Sequence, residues 1–171
     1  MNLSKSLIEE WKVRNRKEVD FLKEALDKVS RESDPKELDE TAIKNHQKVS
    51  SEINCLDCGN CCRTSVTDFS KSDIKRIAKH LELTPKAFIK KYLIEDIDGT
   101  YVTITSPCPF LDLSTNACSI YDIRPSVCIS YPHTQRDGFA NRRKAHKANL
   151  DMCPITFHTV KKIISLYNKK A

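Results

Sequence analysis

Apolar side chains at Ile8, Trp11, Val19, Leu22, Leu26 and Val29 recur with three- and four-residue spacing and predict a helix over residues 4–30. Asp34 then offers a cap, Pro35 a first-turn residue and Glu37 a side chain able to reach back. A second stripe through Leu38, Ala42, Val49 and Ile53 follows from that start. Joined over Ser30–Asp34, the two stripes predict a helical hairpin, residues 1–54, packing on the rest of the chain.

Beyond residue 54 the patterns shorten. Ile74, Ile77, Ala78 and Leu81 share one face of a helix over residues 70–81, and Thr84-Pro85 caps another carrying Phe88, Ile89, Tyr92 and Leu93. After the turn at Asp98-Gly99, residues 101–105 read as a short strand. Residues 109–113 and 117–121 flank the polar Ser114-Thr115-Asn116 turn as arms of a hairpin. Residues 135–149 are polar and basic and predict a surface loop or frayed helix. A last helix runs from Pro154 to Asn168 with Phe157, Val160, Ile163, Ile164 and Tyr167 inward. The fold expected is mainly α with a small β-hairpin, built around an irregular cysteine-rich metal-binding core. Residues 55–171 form the cysteine-cluster domain on this reading.

Composition narrows the chemistry. The 171 residues include three glycines and carry a formal charge of +6. Gly59, Gly99 and Gly138 are too scattered for a phosphate-cradling loop, and neither a Walker A motif nor a dinucleotide fingerprint is present. No run approaches the roughly 18 apolar residues of a membrane span, and the first residues lack a signal-peptide core. The expectation is a cytoplasmic protein without a membrane partner. Its eight cysteines would there be kept reduced, so that clustered thiols hold metal rather than form disulfides.

Those cysteines fall into a compact group, Cys55, Cys58, Cys61 and Cys62, and a dispersed one, Cys108, Cys118, Cys128 and Cys153. A C-x-x-C step lets two thiolates converge on one ion, and Gly59 suits a turn of positive φ. Residues 55–66 read as a loop. In extended backbone Cys61 and Cys62 point apart, so they are expected to serve different metals or to bridge two neighbouring ones. Cys153 precedes Pro154, where a helix N-terminus favours a thiolate. Two zinc sites of four cysteines each would use all eight sulfurs; one iron–sulfur cluster would use four and leave further thiolates. The ferredoxin run fails at Ser65, and no radical-SAM type run occurs.

Arg124, fixed before Pro125, is a candidate donor to the thiolates or to Asp122, and His133 a candidate ligand or supporting donor. His158, one turn past Cys153, is a weaker candidate of the same kind. Arg136, Arg142, Arg143, Lys144 and Lys147 lack interleaved aromatics apart from Phe139, and the helix pair over 70–93 lacks a base-reading face. Nucleic acid is therefore disfavoured as a partner, and metal ions are the partners expected.

The segments Cys55-x-x-Cys58-Gly-x-Cys61-Cys62, Cys108-Pro109-Phe110-Leu111, Cys118-Ser-Ile-Tyr-Asp-Ile-Arg-Pro-Ser-Val-Cys128 and Tyr131-Pro132 resemble the CxxCxxCC cysteine-cluster family, the YkgJ-type zinc- or iron-chelating domain. The resemblance runs from about Cys55 to Cys153. Where the family pattern usually places Arg after the Cys matching Cys128, this chain has Ile129. The resemblance implies metal chelation by the cysteine set. Flagellin lysine methylases carry a similar cluster, but no S-adenosylmethionine pocket signature accompanies it here. The function expected is chelation of zinc or iron through eight cysteines. The alternative is an iron–sulfur redox protein or enzyme with a methyltransferase connection.

Overall fold

The structure is a computed structural model that describes residues 2–170. Its helices are α1 (Leu3–Lys12), α2 (Arg16–Glu32), α3 (Pro35–Glu52), α4 (Cys55–Cys58), α5 (Asn60–Thr64), α6 (Lys71–His80), α7 (Pro85–Tyr92), α8 (Ser126–Ser130), α9 (Arg143–Met152) and α10 (Pro154–Lys170). The strands are β1 (Asp68–Phe69), β2 (Leu93–Glu95) and β3 (Tyr101–Thr103). The chain divides into two compact units. A helical unit combines the residues up to Asp57 with those from Pro132 on; a cysteine unit comprises Cys58–Tyr131.

In the helical unit the predicted helix over residues 4–30 is two helices. Asn15 takes extended backbone and its side chain accepts the Glu18 N–H at 2.9 Å, which starts α2 afresh. The stripe continues across the break because Ile8, Trp11, Val19, Leu22, Leu26 and Val29 are all buried. Asp34 caps α3 through the Glu37 N–H at 2.9 Å, with Pro35 at its start. The basic stretch over 135–149 also departs from expectation, since α9 is a regular helix that buries His146 and Leu150. These two positions, four apart, are the ones that seat the helix. α10 packs against α1, α2, α3 and α9, and Cys153 to Val160 are buried in unbroken succession.

In the cysteine unit, Phe69, Ile74, Ile77, Ala78, Phe88, Leu93, Phe110 and Ile120 form the core, with Cys108 and Cys118 packed against it. Phe88 and Phe110 stack 6.1 Å apart and Tyr92 closes on Phe110 at 4.9 Å. The predicted strand at 101–105 is β3, the centre of an antiparallel sheet of order β1-β3-β2. The expected hairpin at 109–121 is present as a bridge between Leu111 and Cys118, with Asp112 donating its N–H to Ala117 O at 2.8 Å. α6 starts with a capping box in which Ser70 and Asp73 satisfy each other's backbone donors. Among the described residues no helix is long and apolar enough to cross a membrane.

Candidate metal centre

Residues 55–66 fold as two short helices rather than a loop. Gly59, at φ +62°, turns the chain from α4 into α5. Cys61 and Cys62 therefore lie on one helical turn, about 100° apart around its axis. Their sulfurs are 4.0 Å apart instead of opposed. The expectation of diverging thiols assumed extended backbone, and the left-handed glycine removes that assumption.

Four sulfurs of the cysteine unit lie within electrostatic reach of one another in every pairing: Cys62, Cys108, Cys118 and Cys128. The Cys108 N–H donates to Cys62 O at 2.8 Å and fastens the Pro-flanked turn to α5. Donors are aimed at three of the sulfurs. The Phe110 N–H serves Cys108, the Ile120 N–H serves Cys118 and the Thr67 side chain serves Cys128. The first two repeat one local geometry, a Cys sulfur accepting from the N–H two residues on. Such donors offset negative charge on sulfur. Burial opposes them and wins, pushing the Cys108 thiol up to about 11 and Cys128 up to about 12. It also raises Cys118. The Cys62 thiol is raised by its hydrogen bond with Cys61 and then by burial.

Two latches hold these cysteines from outside. Asp73, only 2% exposed, accepts from Ser70, from Arg76 Nη2 at 2.5 Å, and from Ser126 N and Oγ at 3.1 and 2.9 Å. Burial alone would raise its pKa, but these bonds outweigh it and hold the carboxyl below its usual value. Ser126 opens α8, which carries Cys128. Arg76 adds a bond to Ile123 O at 2.6 Å. In the second latch, Arg63 of α5 donates from Nε and Nη2 to Asn116 Oδ1 at 3.1 and 2.5 Å, and from Nη2 to Leu113 O at 2.7 Å. It ties the segment bearing Cys62 to the hairpin bearing Cys118. The sequence reading missed Thr67, Arg63 and Asn116, which carry no local signal. Asp73 was legible in principle as the N3 partner of Ser70.

Arg124 donates to Tyr121 O at 2.6 Å and lies 4.0 Å over the Tyr121 ring. Its charge nonetheless reaches Cys118 and favours that thiolate. His133 stands in the helical unit at φ +68°, within electrostatic reach of His146. His158 is bonded through Nε2 to Leu7 O at 2.9 Å, which gives it a fastening role.

Cys55 and Cys153 belong to the helical unit and lie within electrostatic reach of each other. Cys55 is exposed and Cys153 buried, while Cys58 is half-buried in the cysteine unit. Burial pushes the Cys153 thiol up to about 12. The Thr156 and Ile155 N–H groups of the α10 N-terminus and the Thr156 hydroxyl pull the other way. The expected thiolate at this helix start is outweighed by desolvation. Among the described residues no three or more His, Cys, Asp or Glu side chains are drawn together in metal-ligating geometry. The donor set itself fits zinc or iron, because soft sulfur ligands with N–H donors behind them suit both metals.

The family described as "Putative zinc- or iron-chelating domain" (CxxCxxCC) matches residues 54–154, more than half of the chain and all eight cysteines. An uncharacterized protein of Methanocaldococcus jannaschii is 30% identical over 83 residues, 47% of this chain and 44% of the relative. The chain thus spans less than half the length of that relative. No solved structure matches. On the extent of the family match, the chain belongs to the CxxCxxCC zinc- or iron-chelating family.

Proposed function

We propose that this protein chelates zinc or iron through Cys55, Cys58, Cys61, Cys62, Cys108, Cys118, Cys128 and Cys153, and that Cys62, Cys108, Cys118 and Cys128 supply one closed four-sulfur position. The observation that supports this reading best is the mutual reach of those four sulfurs, three of them with a hydrogen-bond donor already aimed at them. Four half-buried thiols are stable while protonated; a divalent ion entering the position replaces the protons and satisfies the donors at once. Four sulfurs complete a tetrahedral shell, so the position binds and braces without leaving room for substrate. Iron–sulfur occupancy would use the same ligands and differ in colour. Elemental analysis of anaerobically purified protein, with an absorption spectrum, tests both. Bound zinc or iron that falls by one equivalent in Cys118→Ser supports the reading. Metal content unchanged by Cys118→Ser refutes it, and charge-transfer absorbance in the visible identifies an iron–sulfur occupant.

A further inference from the structure

Strand β2 borders β3 on one side, and among the described residues no strand lies on its other side. The Ile104 N–H donates to Tyr92 O and the Asp96 N–H to Thr100 O, both at 2.9 Å, which puts Tyr92, Ile94 and Asp96 at the bonded positions of the register. The backbone groups of Leu93 and Glu95 therefore point away from β3. The Leu93 N–H is taken by Ile89 O at the end of α7. Leu93 O, Glu95 N–H and Glu95 O are left at the open edge. Ile94 beside them is half exposed, and Ile97, at the tip of the turn into β3, is fully exposed. Charge is divided along the segment: Lys90 and Lys91 precede the strand, and Glu95, Asp96 and Asp98 follow. Asp96 is occupied within the turn, where its Oδ1 accepts the Asp98 and Thr100 N–H groups at 3.0 and 2.9 Å. Among the described residues no salt bridge uses Lys90, Lys91, Glu95 or Asp98.

We propose that the β2 edge is the interface between two copies of this chain, which pair antiparallel about Ile94 and join two three-stranded sheets into one of six strands. Counted outward from Ile94, Glu95 stands opposite the partner's Leu93, so its N–H donates to the open carbonyl there, and the two-fold axis repeats that bond. Ile94 meets the partner's Ile94 on the axis. Asp98 stands opposite the partner's Lys90, and Glu95 is the diagonal neighbour of the partner's Lys91. The ladder ends at Leu93, where α7 turns the chain away, so the lysines reach across as long side chains from the last helical turn. Charge complementarity selects the occupant. The segment is basic at its start and acidic at its end, so its own antiparallel copy sets each charge against its opposite, whereas parallel pairing sets like against like. Edge strands are ordinarily blunted by a proline, a bulge or charges of one sign. β2 has no proline, its register to β3 is continuous, and its flanking charges cancel on pairing. The interface is short, so the dimer dissociates on dilution. It contains none of the eight cysteines and stands independently of the chelation reading.

The test is sedimentation equilibrium of the full-length protein, with reductant present so that no dimer is disulfide-linked. A monomer–dimer equilibrium is expected, and it should weaken at about 1 M salt, where the screening length is about 3 Å. Ile94→Lys puts two ammonium groups together on the axis and should abolish the dimer while leaving the circular dichroism of this half-exposed position's surroundings unchanged. The double variants Lys90→Glu/Lys91→Glu and Glu95→Lys/Asp98→Lys should each raise the dissociation constant roughly tenfold, because four exposed charge pairs turn repulsive at once. Mixing these two variants should restore association as a heterodimer, a result that misfolding of either could not produce. Wild-type protein that stays monomeric at every concentration overturns the proposal and leaves the edge to a segment of another protein. A dimer indifferent to Ile94→Lys overturns it as well, and so do two folded charge-reversed variants that fail to associate when mixed.

Discussion

Cys108 and Cys118 belong to turns on the rim of an aromatic cluster, whereas Cys153 heads a helix whose first two turns are buried on every side. The surroundings differ accordingly. The helical unit is built from α2, α3 and α10, each of 17 or 18 residues, with long apolar stripes. The cysteine unit has strands of two or three residues and helices of at most ten. Pieces that short do not hold themselves in water and need cross-connections. Its aromatic core and the Asp73 and Arg63 latches are such connections, and the proposed four-sulfur metal position would be another. One unit is therefore a packing problem, and the other a problem of tying short segments together.

Metal removal breaks the comparison most forcefully. Structural zinc in small sulfur sites contributes on the order of 10 kcal/mol to folding. Chelation should disorder the cysteine unit while sparing the helical one. The single tryptophan, Trp11, is buried in the helical unit, and Tyr92, Tyr101, Tyr121 and Tyr131 lie in the other. The expected outcome is lost near-ultraviolet tyrosine dichroism with unchanged Trp11 emission. Simultaneous loss of both signals would show that the units fold as one. The converse perturbation is Phe157→Ala, which empties a fully buried position in α10. It should cost about 3–5 kcal/mol, appear in the Trp11 melt and leave the zinc count of the full chain unchanged.

The same contrast explains what could be read from the sequence. Helices with long stripes and side-chain caps were visible: Asp34-Pro35 and Thr84-Pro85 start α3 and α7 where the sequence places them. The break at Asn15 was not, because the apolar stripe carries across it in phase. α9 was hidden by its polar composition. In the cysteine unit the cysteines and Gly59 were legible, and so was β3. The grouping of sulfurs was not: Cys62 keeps company with Cys108, Cys118 and Cys128, and Cys153 with Cys55. Sequence proximity says which thiols can be neighbours on one turn. It is silent on hydrogen bonds such as Cys108 N–H to Cys62 O, which span 46 residues and decide which turns meet.

Acid and base should separate the units in opposite directions. His146 is fully buried and stacks on Phe139 at 4.3 Å. Burial, aided by the charges of Arg142 and His133, lowers its pKa to about 4 from 6.5. A depressed pKa gives stability that is present above the unfolded value, near 6.5, and is lost as pH falls through about 4. The loss amounts to about 3 kcal/mol. His146→Phe keeps a ring against Phe139 and removes the proton site, so the Trp11 melting temperature should fall less between pH 7 and pH 4. An unaltered pH slope would sink this assignment. For the metal-free cysteine unit the sign reverses: raised thiol pKa values give stability below about 9 that is lost as pH climbs towards 11–12.

Gly59→Ala is the mildest of these changes and the one that best resolves the cysteine unit. A side chain at φ +62° costs about 1–2 kcal/mol in the left-handed region. A methyl group there would also lie 2.7 Å from Asn116 Oδ1, and that oxygen is not free to retreat because Arg63 holds it with two bonds. Strain and collision can be separated. Asn116 itself has φ +59°, so Asn116→Gly is tolerated by the backbone and removes the obstructing amide. In Gly59→Ala/Asn116→Gly the collision vanishes and only the strain should remain, with zinc affinity partly restored relative to Gly59→Ala alone. Additive losses in the double variant would mean that Asn116 acts only through Arg63. Cys61 and Cys62 follow the glycine after Asn60, so any restored affinity would link the shape of this one turn to the convergence of the sulfurs.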